Sequence, residues 1–178
     1  MAELIQGKSF LLFFRRFADA ETQNAAKLRF QTEHSIKMEK ETEATKTKDG
    51  VVNSLSDGEN TIDIKSLAYK EDKKTTAAWK DLRKWFKAGD LVEVWQVDLT
   101  SEDSKNYEVE YFQGYFKSFE ISAPADGKVE LSANYAINGN GVEGKDTLTE
   151  EQKQAVANIQ YEYAKMEATK KKEKNFEM

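Results

Sequence analysis

The chain has 178 residues, 33% of them charged and 11% aromatic, and its formal net charge at pH 7 is -5. This length and aromatic content predict one folded domain with a substantial core and argue against intrinsic disorder. The absence of cysteine excludes disulfides and thiolate chemistry, no apolar run reaches the ~20 residues of a membrane-spanning helix, and the acidic balance disfavours a sequence-reading nucleic-acid binder.

Two strands are predicted near the N-terminus. Glu3 precedes the first apolar run and no basic segment does, so we expect no signal peptide and synthesis in the cytoplasm. Ser9 to Phe17 is rich in phenylalanine and apolar on both faces, which favours a buried strand. Leu28 to Met38 alternates apolar and polar residues, as a half-buried strand does, and His34 lies on its apolar face.

A polar segment separates these strands from the next ones. Glu41 to Gly50 contains no large apolar residue and ends in an Asp49-Gly50 turn signal. Val51 to Leu55 and Glu59 to Ser66 are short strand candidates. A long polar excursion between strands, here over about residues 40–58, is either a mobile loop or a projecting arm. The residues alone leave both interpretations open.

A helix and another buried strand are predicted next. The helix covers about residues 76–88, where a stripe of large apolar side chains recurs at helical spacing and Gly89 ends the pattern. Leu91 to Leu99 is again apolar on both faces, which predicts a strand. The helical stripe consists of Ala78, Trp79, Leu82, Trp85 and Phe86.

The longest pattern is a hairpin from Tyr107 to Asn138, with APADG as the connection between its strands. Strict alternation in the first strand places Phe112 and Phe116 on one face. The opposite face would hold Tyr107, Val109, Tyr111, Tyr115, Phe119 and Ile121. This is the third strand with two apolar faces. Either such a strand lies between two packed layers, or one of its faces is covered by another subunit. Because three strands share this character, we favour the second explanation, in which one face packs in the subunit core and parts of the other contact a neighbour.

Two further motifs follow the hairpin. Gly139 to Gly144 matches the G-x-G-x-x-G pattern of dinucleotide sites, but no helix opens at its third glycine and no strand follows the later helix. We interpret it as a turn in which glycine permits positive φ. Thr149 and Gln152 form a predicted capping box. The chain thus divides into a β domain over residues 1–147 and a C-terminal helix with a charged tail over residues 148–178.

No arrangement of side chains indicates catalysis or cofactor binding. With no cysteine and no second histidine, His34 is expected in a core or an interface rather than at a zinc site. Carboxylate pairs such as Glu108 with Glu110 have the residue types of a glycosidase, but nothing marks them as buried. We therefore expect no enzymatic activity, no cofactor and no metal ion.

Several segments carry a family resemblance through their order and spacing over nearly the whole chain. They are MAELIQGKSFLLFF at Met1 to Phe14, TKTKDGVV at Thr45 to Val52, LVEVW at Leu91 to Trp95, YFQGYFKSFEISAP at Tyr111 to Pro124, LSANYAINGNGVEG at Leu131 to Gly144 and LTEEQ at Leu148 to Gln152. Together they resemble the major tail protein, the tail tube subunit of long, non-contractile-tailed phages of the lactococcal and streptococcal type. None of these segments is a catalytic signature.

The resemblance implies a mainly β fold, an antiparallel sandwich or barrel of the tail tube type with a flanking amphipathic helix. It also implies that six copies form a ring and that rings stack into a hollow tube in the virion tail, the conduit for genome delivery. The implied partners are further copies of the chain, a tape measure protein in the lumen, tail-end proteins and DNA in transit without sequence-specific binding, with no membrane. The alternative is a tail-associated carbohydrate-binding or hydrolysing domain.

Two surfaces are expected to serve such a tube. The first is the polar arm, which we expect to contact the next ring through Thr45, Lys46, Thr47, Lys48, Asp49 and Gly50; a mobile exterior loop is the alternative. The second is the lumen wall, because an acidic surface repels phosphate and lets DNA slide. The candidate lumen charges are Glu108, Glu110, Glu120 and Glu130 on the long hairpin.

Overall fold

The computed structural model describes residues 2–70, 78–103, 106–149, 152–153 and 166. Over these residues it contains ten β-strands and one α-helix. The strands are Phe10–Arg16 (β1), Ala26–Lys27 (β2), Gln31–Lys37 (β3), Lys40–Thr47 (β4), Gly50–Asp57 (β5), Asn60–Leu67 (β6), Val92–Asp103 (β7), Asn106–Ser122 (β8), Glu130–Ile137 (β9) and Val142–Asp146 (β10). The helix α1 spans Ala78–Ala88, within the predicted interval.

Eight strands form one antiparallel sheet in the order β2-β1-β7-β8-β9-β6-β3, and β10 also pairs with β8. The long strand β8 connects the two halves of this sheet. Its first half pairs with β7 and β10, whereas its second half pairs with β9. The remaining two strands, β4 and β5, pair only with each other. The hairpin predicted between Tyr107 and Asn138 is present as β8 and β9.

The two ends of the sheet are joined through one side chain. Gln31 on β3 donates from Nε2 to the carbonyl oxygen of Leu12 on β1 at 3.0 Å, and its Oε1 accepts from the Leu12 amide at 3.3 Å. The carboxamide thus makes the two hydrogen bonds that the backbone of a neighbouring strand would make. This bridge closes the sheet around the main core, and the result is the antiparallel sandwich or barrel that the family resemblance implies.

The main core fills the space between the two halves of the sheet, and α1 packs against it. Leu82 is buried on the helix, and Trp79 donates from its indole nitrogen to the Tyr69 carbonyl at 2.9 Å. Each buried aromatic side chain contributes about 2–3 kcal/mol to stability. The buried members of this core are Leu12, Phe14, Leu28, Ile62, Ile64, Leu82, Val92, Val94, Phe112, Phe116, Ala133, Tyr135 and Ile137, and the whole predicted helical stripe contacts it.

A second, smaller core covers the opposite face of β1, β7 and the first half of β8. Phe13, Val97 and Val109 are buried there within the chain itself. The prediction that this second apolar face contacts another subunit is therefore wrong for these three residues. Ala25 and Leu148, which lie in otherwise polar segments, pack against the same cluster. Neither covering residue belongs to a periodic apolar pattern, so sequence periodicity does not reveal that this face is covered within the chain.

A β-bulge in β8 changes which residues share a face. The pairing with β9 shifts register between Phe116 and Ser118. Because one extra residue reverses the alternation of side chains, Phe119 lies on the side of the main core and stacks against Phe86 with ring centroids 6.4 Å apart. The sequence-based assignment of Phe119 to the face of Tyr115 is therefore wrong.

The C-terminal helix begins as predicted. The Thr149 amide donates to Gln152 Oε1 at 2.9 Å, and the Gln152 amide donates to Thr149 Oγ1 at 3.2 Å, which is a reciprocal capping box. The Gln152 side chain also donates to the Ala25 carbonyl at 2.8 Å, so the start of this helix is attached to the sheet. The rest of the predicted helix and the charged tail lie outside the described residues, apart from Met166.

A buried ion pair lies beside the second core. Glu93 is only 3% exposed, and both its oxygens lie 3.2 Å from the Arg15 guanidinium. Tyr111 donates its hydroxyl to Glu93 at 2.6 Å and accepts from Gln113 at 2.8 Å. The guanidinium also lies 4.9 Å from the centre of the Trp95 ring. These contacts satisfy a charge whose unpaired burial would cost several kcal/mol.

We expect this network to make the free energy of unfolding decrease as pH rises in the alkaline range. Burial and the hydrogen bond to Glu93 raise the pKa of Tyr111 to about 12. A raised pKa means that the folded state holds the proton more tightly, so this stabilisation is complete below pH ~10 and is lost as pH rises towards about 12. We would measure urea midpoints from about pH 9 to about pH 11, a range of roughly two units around the free tyrosine pKa. With rising pH the midpoint should fall more steeply for the native chain than for Tyr111→Phe.

The matched control for this titration is Tyr115→Phe, which removes the hydroxyl of an exposed ring on the same strand. Its curve should run parallel to that of the native chain. Equal slopes for the native chain and Tyr111→Phe would contradict the assignment. Tyr135, whose pKa is also raised by burial, is present in all three proteins and does not affect the comparison.

Candidate functional site

The polar arm is a β-hairpin that projects from the sheet. Strands β4 and β5 pair in register from Lys40 opposite Asp57 to Thr47 opposite Gly50, and every residue of both strands is exposed. The last pair of β3 and β6 on that side is Lys37 with Thr61. The arm therefore continues the β3–β6 pair beyond the core, and at about 3.4 Å per residue its eight-residue strands reach roughly 27 Å.

The turn at the end of the arm consists of Lys48 and Asp49. Thr47 accepts from the Asp49 amide through Oγ1 at 3.2 Å and donates from the same hydroxyl to the Gly50 carbonyl at 2.6 Å. Gly50 has φ +123°, a conformation that favours glycine. The turn thus lies one residue earlier than the predicted Asp49-Gly50 signal, and Gly50 is the first residue of β5.

The arm exposes three large aliphatic side chains to solvent. Val51, Val52 and Leu55 are 61%, 57% and 67% exposed. Register places Val51 and Leu55 on one face of the hairpin and Val52 on the other. A two-stranded hairpin is marginally stable alone, and clustered exposed apolar residues are typical of an interaction surface. The arm therefore has the character of a segment that packs against another molecule.

A buried asparagine fixes the base of the arm. Asn60 is 4% exposed, and its Oδ1 accepts from the Glu39 amide at 3.0 Å. Its Nδ2 donates to the Gly139 carbonyl at 2.8 Å and to Asn140 Oδ1 at 3.1 Å. Beside it, a Cβ atom on Gly58 would lie 2.7 Å from the Glu39 carbonyl oxygen. Sequence reasoning missed this joint, because no periodic pattern distinguishes Asn60 from other loop asparagines.

The glycine-rich segment after β9 is the loop that receives Asn60. Gly139 and Gly141 have φ +73° and +75°, which agrees with its interpretation as a turn. Strand β10, rather than a helix, follows Gly141, and both β9 and β10 lie along β8. The geometry of a dinucleotide site, in which phosphate meets a helix N-terminus, is not present at this loop.

One face of the sheet, which we term the polar face, is lined by polar and charged side chains. It is the side of β3, β6, β9 and the second half of β8 that points away from the main core. The polar face consists of Glu33, Ser35, Lys37, Thr61, Asp63, Lys65, Ser118, Glu120, Ser122, Glu130, Ser132 and Asn134. Its four carboxylates outnumber its two ammonium groups, so it is acidic.

Contacts across the polar face connect neighbouring strands. Asn134 on β9 donates to Asp63 on β6. Lys65 and Glu33, on β6 and β3, lie 4.0 Å apart with both side chains more than half exposed. Such exposed pairs contribute little to stability, about 0–1 kcal/mol. The sign of the potential that a molecule passing this face would meet is set by the excess of carboxylates over ammonium groups.

The four candidate lumen carboxylates do not share one surface. Glu120 and Glu130 lie on the polar face, whereas Glu108 and Glu110 lie on the opposite side of the sheet. The bulge between Phe116 and Ser118 causes this separation, because it reverses the alternation within β8. Grouping all four on one wall of a lumen is consequently inconsistent with the structure.

Glu108 and Glu110 line a groove with Phe10, Gln96, Asp98, Glu143 and Lys145. Burial, and secondarily the charge of Glu143, raise the pKa of Glu110. His34 lies close by, with Nε2 2.8 Å from Gln96 Oε1. The histidine therefore has a structural hydrogen bond between β3 and β7. Within the described residues, no three His, Asp or Glu side chains are grouped as a metal site would require.

The arm, the polar face and the closed sheet can be compared with known proteins. The family described as phage tail tube protein matches residues 4–143. A tail protein of Staphylococcus phage phiMR25 is 27% identical over 155 residues, which are 84% of this chain and 77% of that protein. A tail tube protein of Bacillus phage SPP1 is 28% identical over 123 residues, which are 68% of this chain and 45% of that protein.

Solved structures share the fold at low sequence identity. The tail tube of phage SPP1, determined by solid-state NMR and cryo-electron microscopy, superposes with a TM-score of 0.72 at 19% identity and covers 95% of this chain and 96% of that one. The tail of an empty gene transfer agent particle, refined with C6 symmetry, has a TM-score of 0.58 at 14% identity, with coverage of 79% and 98%.

The family match decides the assignment, because residues 4–143 contain β1 to β9, the arm, α1 and the start of β10. The resemblance seen in the sequence segments is confirmed. No helix of the described residues is long and apolar enough to cross a bilayer. The chain belongs to the phage tail tube protein family.

Proposed function

We propose that six copies of this chain form a ring and that rings stack head to tail into the tail tube of the virion. A tube needs a rigid wall and a segment that reaches the next ring. The closed sheet, held by Gln31 and the main core, would form the rigid wall. The arm would reach the next ring, and its complete exposure is the single observation that carries the proposal. Ring size is taken from the C6 symmetry of the gene transfer agent tail.

The arm is the proposed inter-ring contact. Its end, Thr45 to Gly50, extends well beyond the subunit core, and no side chain of β4 or β5 is buried in the isolated chain. The joint at Gly58 and Asn60 holds the base of the arm against the Gly139 loop. This arrangement favours a projecting arm of defined direction over a mobile exterior loop.

The polar face is the proposed wall of the lumen. It is acidic, and it carries hydroxyl and amide groups but no exposed large aliphatic residue. A negative wall repels phosphate, so DNA would pass without being held. Glu120 and Glu130 keep their assignment as lumen charges, whereas Glu108 and Glu110 face another surface. Two further partners are proposed. A tape measure protein would occupy the lumen before DNA release, and tail-end proteins would bind the ends of the tube.

The proposed role is structural, without a reaction of its own. The groove at Glu108 and Glu110 is the candidate place for a carbohydrate-binding or hydrolysing site, since Asp98 and Glu143 also line it. Apart from these carboxylates, nothing in its lining supports that alternative.

The test of the function is negative-stain electron microscopy of the purified protein. We expect rings with six-fold symmetry and tubes built from them. A persistent monomer that binds cell-wall glycan in a pull-down assay would contradict the proposal and favour the alternative.

The lumen assignment predicts a specific effect of charge reversal. Tubes of Glu120→Lys/Glu130→Lys assembled with short linear DNA should retain nuclease-resistant DNA, on the order of tenfold more than native tubes, because a basic wall binds phosphate. Retention should fall steeply with salt. The matched control is Glu108→Lys/Glu110→Lys, which makes the same charge change on the opposite face. Equal protection by the two double variants would show that the polar face is not the lumen wall.

A further inference from the structure

The glycine-rich loop after β9 contains two asparagines whose neighbours make their side chains chemically unstable. Asn138 precedes Gly139 and Asn140 precedes Gly141, and these are the only Asn-Gly pairs in the sequence. In such a pair the backbone nitrogen of the glycine can attack the side-chain amide carbon of the asparagine. Glycine favours this attack, because it has no Cβ to crowd the nitrogen and its backbone rotates freely. Both asparagines are therefore candidates for spontaneous deamidation.

The reaction has two steps and needs only solvent. The glycine nitrogen loses its proton and bonds to the asparagine Cγ, the bond from Cγ to Nδ2 breaks, and the amide leaves as ammonia. Water then adds to a carbonyl of the cyclic succinimide and breaks the bond of that carbonyl to the nitrogen. The product is aspartate or isoaspartate, with water consumed and ammonia released in equal amounts. The side chain gains a negative charge, and in isoaspartate the backbone gains a methylene group.

The fold requires both glycines, so a different residue after the asparagine is not available to slow the reaction. Gly139 and Gly141 have φ +73° and +75°, in the left-handed region that favours glycine. At Gly141 there is a second restriction, since an added Cβ would lie 2.5 Å from the Phe112 ring. The turn between β9 and β10 thus retains two susceptible pairs.

Of the two asparagines, Asn140 is held by the joint at the base of the arm. Its Oδ1 accepts from Asn60 Nδ2 at 3.1 Å, and Asn60 is itself only 4% exposed. On the other side, the pKa of Asp57 is lowered by Lys40 and, to a smaller extent, by a hydrogen bond with the Asn140 side chain. The Asn140 amide is thus fixed between the buried asparagine and the last residue of β5.

Asn138 lacks this restraint. Its backbone amide donates to the Gln113 carbonyl at 2.7 Å, but its exposed side chain makes no hydrogen bond to the part of the chain that the structure describes. To react, an asparagine must turn its Cγ towards the following backbone nitrogen. Asn140 can do so only after its two hydrogen bonds break, which should slow its reaction by on the order of tenfold or more.

We propose that Asn138 is the residue at which the folded chain deamidates spontaneously, and that the joint at the base of the arm protects Asn140. Conversion of Asn138 to aspartate adds charge to an exposed side chain and breaks no hydrogen bond of that side chain. Conversion of Asn140 would instead place a carboxylate against Asp57, and the like charges would repel where the arm leaves the sheet. The joint therefore delays a modification that would weaken the joint itself.

The test is the rate of deamidation at each position of the native chain during incubation at mildly alkaline pH. Trypsin releases both asparagines in one peptide, Val129 to Lys145, and fragment masses locate the converted amide. The same chain in concentrated urea gives the intrinsic rate at each position. In the folded chain Asn138 should react at least about tenfold faster than Asn140, after correction for the ratio measured in urea.

Variants of the joint show whether the hydrogen bonds cause the protection. Asn60→Ala removes the buried partner, and Asp57→Ala removes the other partner from an exposed position that contributes nothing to the core. Each should raise the Asn140 rate about threefold or more and leave the Asn138 rate unchanged, which also shows that the loop is still folded. The matched control is Lys40→Ala, which removes the ion pair with Asp57 but leaves the Asn140 contact.

Three results would overturn the proposal. The first is an equal corrected rate at the two asparagines of the folded chain. The second is an Asn140 rate that stays the same in both joint variants, or that rises as much in Lys40→Ala as in Asp57→Ala. The third is a folded chain that retains the Asn138 amide while both amides convert in urea.

The consequence for the arm is tested separately, and this step rests on the proposed function. Asn140→Asp should reduce pelletable tubes, whereas Asn138→Asp, with the same charge change, should not. Equal tube yields from the two variants would contradict the weakening of the joint. A native chain that forms no tubes would contradict the proposed function and leave the measured deamidation rates unaffected.

Discussion

Removal of Thr45 to Lys48 should abolish tube growth while leaving the subunit folded. The deletion shortens a hairpin in which every residue is exposed, so it removes no core contact. We expect the free energy of unfolding to change by no more than about 0.5 kcal/mol, as for other exposed positions. The rings should lose their contact to the next ring, because the arm no longer reaches it. Sedimentation and negative-stain microscopy measure the loss of tubes, and urea unfolding measures stability.

The matched control for this deletion keeps the length of the arm and changes only its turn. Lys48→Asn introduces a residue that tolerates turn conformations and leaves Gly50 in place. This variant should form tubes of normal length. Normal-length tubes from the deletion variant would refute the stacking role of the arm, whereas an unfolded deletion variant would show that the hairpin stabilises the subunit.

Part of this arm could be predicted from the sequence, and part could not. The absence of large apolar residues from Glu41 to Gly50 indicated a segment that does not pack in the subunit, and the glycine indicated a turn. The strand β4 gave no signal, because alternation reports burial of one face and neither face of β4 is buried. Pairing with β5 alone determines its conformation. The joint at Asn60 was missed for a different reason, since its three hydrogen bonds depend on residues far apart in the chain.

In the closed sheet, too, features set by local sequence patterns could be predicted, and features set by strand pairing could not. Alternation along β9 and the helical stripe of α1 were correctly predicted, because each reports a single buried face. The bulge after Phe116 was not, since an extra residue leaves composition unchanged and becomes visible only in the pairing with β9. That one residue changed the face of Phe119 and divided the candidate lumen charges. A single residue in β8 thus had more effect on the functional assignment than any motif.

The second apolar face was interpreted too simply from the sequence. Three strands with two apolar faces suggested contact with another subunit, but Phe13, Val97 and Val109 pack against covering segments of the same chain. Tyr115, on the same face, does remain exposed, and so do Phe17, Ile121, Val142 and the aliphatic residues of the arm. For a tube protein this distinction matters, because residues buried in the second core stiffen the subunit, and only exposed residues are available for contacts between subunits.

Gly114→Ala should be the most damaging of the Gly→Ala substitutions in this chain. Gly114 lies where β8 passes from its pairing with β7 to its pairing with β9, opposite Val92 and Ile137. An added Cβ would lie 1.9 Å from the Ala136 carbonyl oxygen, and backbone cannot move aside as a flexible side chain can. Overpacking of this kind costs about 3 kcal/mol or more, a large share of the ~5–15 kcal/mol that stabilises a domain. We expect a large fall in the urea midpoint or a loss of soluble protein.

Gly144→Ala is the matched control, because it adds the same methyl group to a strand that also pairs with β8. No atom lies within 4 Å of the added Cβ, and the backbone there has no positive φ. Its unfolding free energy should stay within about 0.5 kcal/mol of the native value. Similar destabilisation in both variants would mean that any side chain destabilises a glycine position in these strands. The close approach of the Ala136 carbonyl to Gly114 would then not be the cause. Stability of Gly114→Ala equal to that of the native chain would show that β8 can separate from β9 at this point, and the wall of the tube would then be less rigid than the closed sheet implies.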